Sequence, residues 1–163
     1  MRKLSQLHQE LIPYLYYRDA EAAIAFLRDA FGFEVRGVAR AGDGAVVHAE
    51  LGVGRSAVML GPARLDFVSP LDLPARHAGV WCYVADVDAH CARARAAGAV
   101  IVREPCDQEY GVREYSARDC EGHEWFFERP LANARPAWGR EPARARRVAV
   151  RREPAKKRGA RRK

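Results

Sequence analysis

Apolar and polar positions follow two rhythms along this chain, and the same order of rhythms occurs twice. In LIPYLYYRDAEAAIAFLRDAFGFEV, residues 11–35, an aromatic-rich run of period two gives way at Asp19 to Ile24, Leu27 and Phe31, spaced three and four apart. After Gly32 the pattern becomes extended again. GVWCYVADVDAHCARARAAGAVIV, residues 79–102, repeats the order with Asp86, then Val87, Cys91 and Ala94, then Gly98. Period two is a strand signal, and spacings of three and four mark one face of a helix. Each Asp stands where a short acceptor side chain can satisfy free N–H groups at a helix start, and each Gly where a left-handed residue ends it.

Three further strands are predicted after each helix. In the first unit they are GFEVRGVARA, GAVVHAELGVG and RSAVMLG, and in the second AVIVREP, REYSARD and HEWFFERP. Asp43-Gly44, Gly52-Val53-Gly54 and Asp119-Cys120-Glu121-Gly122 supply the turns. The expected organisation is an N-terminal extension over 1–9, a βαβββ module over 10–65, a linker over 66–77 with Pro70 and Pro74, a second βαβββ module over 78–130, and a tail over 131–163. The order of the elements predicts an α+β fold class.

Charge separates the tail from the rest. The net charge of +7 arises because residues 140–163 hold twelve Lys/Arg and two acids, leaving sixteen basic and nineteen acidic side chains in 1–139. The tail has no sustained apolar periodicity and is expected to be disordered. It either contacts nucleic acid or another polyanion without reading sequence, or is a solubilising extension with no dedicated partner. There is no run of about 18 apolar residues, so no membrane span is expected, and no secretory signal is read at the N-terminus. Cys82, Cys91, Cys106 and Cys120 lack CxxC spacing, consistent with reduced thiols in a cytoplasmic protein.

PYLYYRDAEAAIAFLRDAFGF and YGVREYSARDCEGHEWFFE, together with the duplicated order, resemble the vicinal oxygen chelate superfamily of glyoxalase I, bleomycin-resistance proteins and extradiol dioxygenases. The Gly-x-Arg-Glu-aromatic and Asp-x-x-Gly pattern of the second motif is similar to the last hairpin of bleomycin-resistance-type members, although Cys120 stands where many relatives carry Pro. The resemblance implies an α+β fold of two βαβββ modules forming curved mixed sheets around a cleft, and a homodimer, often with the cleft completed by the partner chain. In metal-dependent members it implies a divalent cation held by His, Gln and Glu side chains from the first strand and a later strand of each unit.

Counting to those positions gives Ile12 and Gly79, seven before each helix-start Asp, and Val58 and Phe126, four after each hairpin Gly. None of these can bind a metal, so no metal and no cofactor is expected. A slipped register would offer His48, Glu50, Glu124 and Glu128, and His77 lies two residues before Gly79. The plainer reading of these groups is polar strand faces and a solvated linker histidine.

The same parity turns Tyr14, Tyr16, Trp81, Tyr83 and Phe126 toward the cleft, and Leu15, Tyr17, Cys82, Val84, Trp125 and Phe127 toward the helices. An aromatic cup suits a planar or apolar organic molecule, with His48, Glu50, Arg113, Glu114 and Glu128 as polar anchors. The alternatives are that the aromatics serve as core or dimer interface, and that Arg113 pairs with Glu114, Asp119 or Glu104. His90 reads as a residue on the polar side of its helix, and His123 as a surface residue of the turn. No Gly-rich phosphate loop or GxSxG occurs, and no cysteine has a defined histidine partner.

The leading expectation is a metal-free protein binding an aromatic or heterocyclic small molecule, as in drug or toxin sequestration. One alternative is a metal-dependent glyoxalase-like lyase, isomerase or dioxygenase using Glu50, His48 and Glu128. The other is a domain tethered to a polyanion by its tail.

Overall fold

The computed structural model describes residue 9, residues 11–75 and residues 77–132, so most of the expected tail and N-terminal extension lies outside the described residues. The first module runs β1 (Tyr14–Tyr17), α1 (Ala20–Phe31), β2 (Glu34–Arg40), β3 (Val46–Val53) and β4 (Ser56–Pro62). The second runs β5 (Gly79–Tyr83), α2 (Val87–Ala96), β6 (Val100–Asp107), β7 (Val112–Arg118) and β8 (Glu124–Pro130). Each forms a mixed four-stranded sheet, in the orders β1-β4-β3-β2 and β5-β8-β7-β6. In both, the first strand runs parallel to the last and lies at the sheet edge.

The helices begin and end for local reasons. Asp19 accepts from the Ala22 N–H and Asp86 from the Ala89 N–H, each satisfying a donor that has no partner within its helix. Gly32 closes α1 at φ 68°, a left-handed conformation that costs glycine little. Between the modules a short 3-10 turn, Pro70–Asp72, is capped by the Ser69 hydroxyl.

The two modules share one core. Phe31 at the end of α1 packs against Trp125 and Phe127 of β8, with ring centroids 5.6 and 4.8 Å apart, and Phe33 meets Trp125 at 5.4 Å. Leu27, Leu51, Leu60, Trp125 and Phe127 are fully buried, and apolar side chains of this size contribute about 1.5–3 kcal/mol each on burial. Both sheets therefore turn the faces bearing Tyr17, Leu51, Cys82 and Phe127 toward the helices. Their opposite faces point outward.

Polar groups lock the modules together. The Tyr17 hydroxyl donates to Asp119 Oδ2 at 2.6 Å, and Glu121 accepts from the backbone N–H groups of Arg18 and Asp19 at 2.9 Å each. Asp119 also accepts from Trp125 Nε1 and from the N–H groups of Glu121 and His123, all at 3.0 Å. The Asp-x-x-Gly turn is thus a buried acceptor hub. Burial, then the charge of Asp119, pushes the Tyr17 hydroxyl pKa well above its ordinary value.

The structure corrects the reading of His90. Its side chain is buried, not on a polar helix face, and it joins α2 to both neighbours: Nδ1 lies 2.6 Å from the Tyr115 hydroxyl and Nε2 lies 3.0 Å from the Phe31 carbonyl. A carbonyl only accepts, so Nε2 carries the proton and Nδ1 accepts from Tyr115. Burial lowers the His90 pKa to about 4. His123, expected only at the surface, donates from Nε2 to the Tyr16 carbonyl at 3.0 Å and packs its ring 4.7 Å from that of Tyr17. A carbonyl again selects the donor role for the ring nitrogen.

Candidate functional site

Strand alternation sorts the aromatics as parity requires. Tyr17, Trp125 and Phe127 are fully buried, whereas Tyr14 and Tyr16 are each 40% exposed, Trp81 57% and Tyr83 69%. All four exposed rings lie on the edge strands β1 and β5.

These residues form two separate faces in one chain. On the first sheet Tyr14 packs against Tyr16 and His48, with centroids 5.1 and 5.7 Å apart, and its hydroxyl lies 3.4 Å from His48 Nδ1. Glu50 stands beside them, 3.7 Å from Arg36 Nη1. The registers place Met59 between Tyr14 and Glu50.

This corrects one counted position. Tyr14 pairs with Met59 just as Trp81 pairs with Phe126, so the outward residue of β4 is Met59, while Val58 is buried in the core. The hairpin after β3 has only Gly54 and Arg55 between strands, tighter than the turn around Asp119–Gly122, and the count from the glycine slips by one.

On the second sheet Trp81 and Phe126 stack at 3.9 Å with an interplanar angle of 4°. Gly79 permits this, because a Cβ there would stand 2.7 Å from Phe126 Cε2. Glu114 and Glu128 are directly opposite each other on β7 and β8, and Ser116 lies opposite Phe126. Glu114 is only 1% exposed; it is ion-paired with Arg103 and accepts from Trp81 Nε1 and the Tyr110 hydroxyl at 3.3 Å each. Glu128 sits beside Tyr83, whose hydroxyl pKa it raises by its negative charge. The result is an exposed aromatic platform with an acidic border.

The structure brings Trp81, Tyr83, Phe126 and Glu128 together, and separately Tyr14, Tyr16, His48 and Glu50. It does not bring His48 and Glu50 to Glu124 and Glu128, because the two sets lie on outward faces of different sheets. Arg113 joins neither set: it faces α2 and pairs with Asp88 at 2.7 Å and Asp107 at 2.8 Å, which raise its pKa. Arg103 and Tyr110 were missed by sequence reasoning. Arg103 falls where register shifts interrupt the β6–β7 pairing, so strict alternation says nothing reliable about its face.

No three His, Cys, Asp or Glu side chains are grouped so as to hold a metal within one chain, among the described residues. The Cys82 and Cys120 thiols are poor nucleophiles at neutral pH: burial pushes Cys82 up to about 12, and partial burial with neighbouring Asp119 does the same for Cys120. No described helix is long and apolar enough to cross a membrane.

A duplicated βαβββ chain with two mixed sheets, each leading with an edge strand, defines a family. The profile of the Glyoxalase/Bleomycin resistance protein/Dioxygenase superfamily matches residues 7–127, and the chain belongs to that superfamily. An uncharacterized protein of Mycobacterium bovis is 32% identical over 126 residues, covering 74% of this chain and 83% of that protein. Among solved structures, TioX from Micromonospora sp. ML1 is similar at 31% identity with a TM-score of 0.61, over 78% of this chain and all (100%) of that one. A glyoxalase/bleomycin resistance protein/dioxygenase family enzyme from Burkholderia phytofirmans PsJN shares the fold at 21% identity and a TM-score of 0.59, over 72% of this chain and 95% of that one.

Proposed function

We propose that the protein binds a planar aromatic or heterocyclic small molecule without a resident metal, in the manner of bleomycin-resistance-type members of its superfamily. The observation that carries this reading is the solvent-exposed Trp81–Phe126 stack beside Glu114 and Glu128. A flat ligand can extend that stack, gain burial and edge-to-face contact, and hydrogen-bond to a carboxylate at its rim.

The cleft is completed by a second copy of the chain. A single chain presents half a cleft on each sheet, and the exposed rings on edge strands β1 and β5 are an apolar surface that association would cover. A twofold dimer opposes the Tyr14–Tyr16 face of one copy to the Trp81–Phe126 face of the other, twice.

The metal-dependent alternative needs His48 and Glu50 to act with Glu128, groups that one chain keeps on different faces and that the opposed faces of two copies would bring together, so the metal content decides between the readings. Elemental analysis of protein purified without a metal-binding tag separates the readings. The proposal expects no stoichiometric Zn, Ni, Mn or Fe, dimer mass by light scattering, and quenching of Trp81 fluorescence by planar aromatic compounds. Stoichiometric metal with metal-dependent turnover overturns it.

A further inference from the structure

We infer that the recess at the seam of the two modules is a second binding site, which takes an apolar monocarboxylate of the size of a medium-chain fatty acid. It lies on the helix side of the sheets, apart from the Trp81–Phe126 platform, and stands whether or not that platform binds a ligand.

The recess has a volume of about 420 Å³, within the range of about 300–1,000 Å³ usual for small-molecule sites. One module contributes Phe31, Phe33 and Val53 to its walls, and the other Val84, Ala89 and Arg93. Phe31 and Phe33 belong to the buried core, so the floor is apolar and suits a hydrocarbon tail.

Arg93 gives this apolar recess a cation in a fixed place. Its Nε donates to the Ala30 carbonyl at 3.3 Å, and its guanidinium lies against Gly32, where a Cβ would stand 2.6 Å from Nη2. Gly32 therefore ends α1 and also leaves room for the guanidinium. Arg93 makes no ion pair among the described residues, so its two Nη groups can meet both oxygens of a carboxylate. Charge alone would not choose this place, since Arg55 and Arg129 also lack an ion pair among the described residues; the apolar recess beside Arg93 does.

The surroundings favour one negative charge and oppose a second. The carbonyls at the negative end of α1 would repel an anion, but the chain's own donors occupy them. Ala30 has Arg93, Phe31 has His90 Nε2, and Leu27 and Arg28 have the N–H groups of Phe33 and Gly32. His90 has both ring nitrogens engaged and offers a ligand neither. Asp86 is the acidic lining residue, its carboxylate turned to the Ala89 N–H at 3.0 Å. It stands two helical turns from Arg93 on the same face of α2, about 10 Å along the axis. A monocarboxylate can pair with Arg93 at that distance, whereas a dianion such as a phosphate meets more repulsion from Asp86.

The test titrates octanoate, and separately its neutral analogue octan-1-ol, into the full-length chain and follows backbone amide signals by NMR. Octanoate is expected to shift the Gly32, Gly54 and Ala89 amides saturably and to leave those of Trp81 and Phe126 in place. Octan-1-ol should bind about tenfold more weakly or worse, the usual worth of a hydrogen bond to a charged group, and Arg93→Gln should weaken octanoate to a similar level. Ala89 is an exposed wall residue, so Ala89→Phe fills the recess without entering the core and should abolish the shifts. The same spectra show whether each variant is folded, and the octan-1-ol comparison needs no variant.

Absence of saturable shifts at the three amides overturns the inference, as does an octanoate affinity unchanged in Arg93→Gln. Shifts centred on Trp81 and Phe126 overturn it too, by assigning the acid to the platform, and they leave the ligand reading of that platform standing.

Discussion

Tyr17 and Asp119 are 102 positions apart in sequence, yet the hydroxyl of one donates to the carboxylate of the other at 2.6 Å inside the core. This bond ties the end of β1 to the β7–β8 turn, and the same carboxylate serves three more donors. Tyr17→Phe removes one donor and is expected to cost about 1 kcal/mol. Asp119→Asn puts an amide where four donors converge, so at least one buried donor loses its acceptor, at about 2–4 kcal/mol. Urea unfolding of the two variants checks the order; a loss in Asp119→Asn no larger than in Tyr17→Phe would contradict the hub.

The platform of Trp81 and Phe126 is expected to be functional surface with little part in folding. Trp81→Ala should cost about 1 kcal/mol of stability, since it removes the stack on Phe126 and one donor to Glu114, while abolishing ligand binding measured by calorimetry. Gly79→Ala is the subtler test. Its added methyl group crowds Phe126 and should tilt the stack, weakening a planar ligand about tenfold, equivalent to about 1.4 kcal/mol. Arg113→Ala should leave ligand affinity as it is, because that side chain is engaged with Asp88 and Asp107 on the helix side. Isothermal titration calorimetry on the three variants measures these differences; equal affinities for Gly79→Ala and the parent would remove the stacked platform from the site.

His90 should make stability pH-dependent in a defined window. Its folded-state pKa of about 4 lies below the ordinary 6.5, so between these values the unfolded chain binds a proton that the folded chain refuses. Stability is then complete above about pH 6.5, falls as pH drops toward 4, and levels off below it, by about 3 kcal/mol in all. Replacing His90 by Phe should lower stability at pH 7, because Tyr115 and the Phe31 carbonyl lose their partner, yet flatten the curve between pH 4 and 6.5. Urea midpoints at half-unit intervals measure the slope, and an unchanged slope in the Phe variant would assign the pH dependence to other groups.

Much of this architecture was legible because its causes are local. Asp19, Asp86 and Gly32 do at the helix ends what short acceptors and left-handed glycines do anywhere, and period two sorted Tyr14 and Trp81 from Tyr17 and Trp125. The separation of the two aromatic faces was not legible, since it follows from Phe31 and Phe33 reaching across to Trp125 and Phe127, contacts that no window of sequence contains. His90 was misread for the same reason: its helix has a weak apolar face, and the Tyr115 and Phe31 groups that justify burying it come from other elements. A count from Gly54 lands on Val58, one residue short of the outward-facing Met59, because it assumes equal turn lengths and the two last hairpins differ by the residues in their turns.

Arg103 and Glu114 offer the sharpest energetic test of the acidic border. Glu114 is almost wholly buried, whereas Arg103 keeps 42% of its side chain exposed, so the two ends of the ion pair are not equivalent. Removing the exposed cation strands a buried carboxylate, which still accepts from Trp81 and Tyr110 but has lost its counter-charge; Arg103→Gln is expected to cost about 2 kcal/mol. Removing the buried charge strands only a guanidinium that water can reach. Glu114→Gln retains an oxygen for Trp81 Nε1 and should therefore cost less, about 1 kcal/mol. In the double variant nothing buried is left charged, and the loss should fall below the sum of the single losses by about 1–2 kcal/mol. Trp81 supplies a second readout, since its indole N–H donates to the same carboxylate: both Glu114→Gln and the double variant should shift its fluorescence maximum, and Arg103→Gln should shift it less. Additive losses in urea would mean that the pair is not coupled in solution, leaving Glu114 held by its two aromatic donors alone.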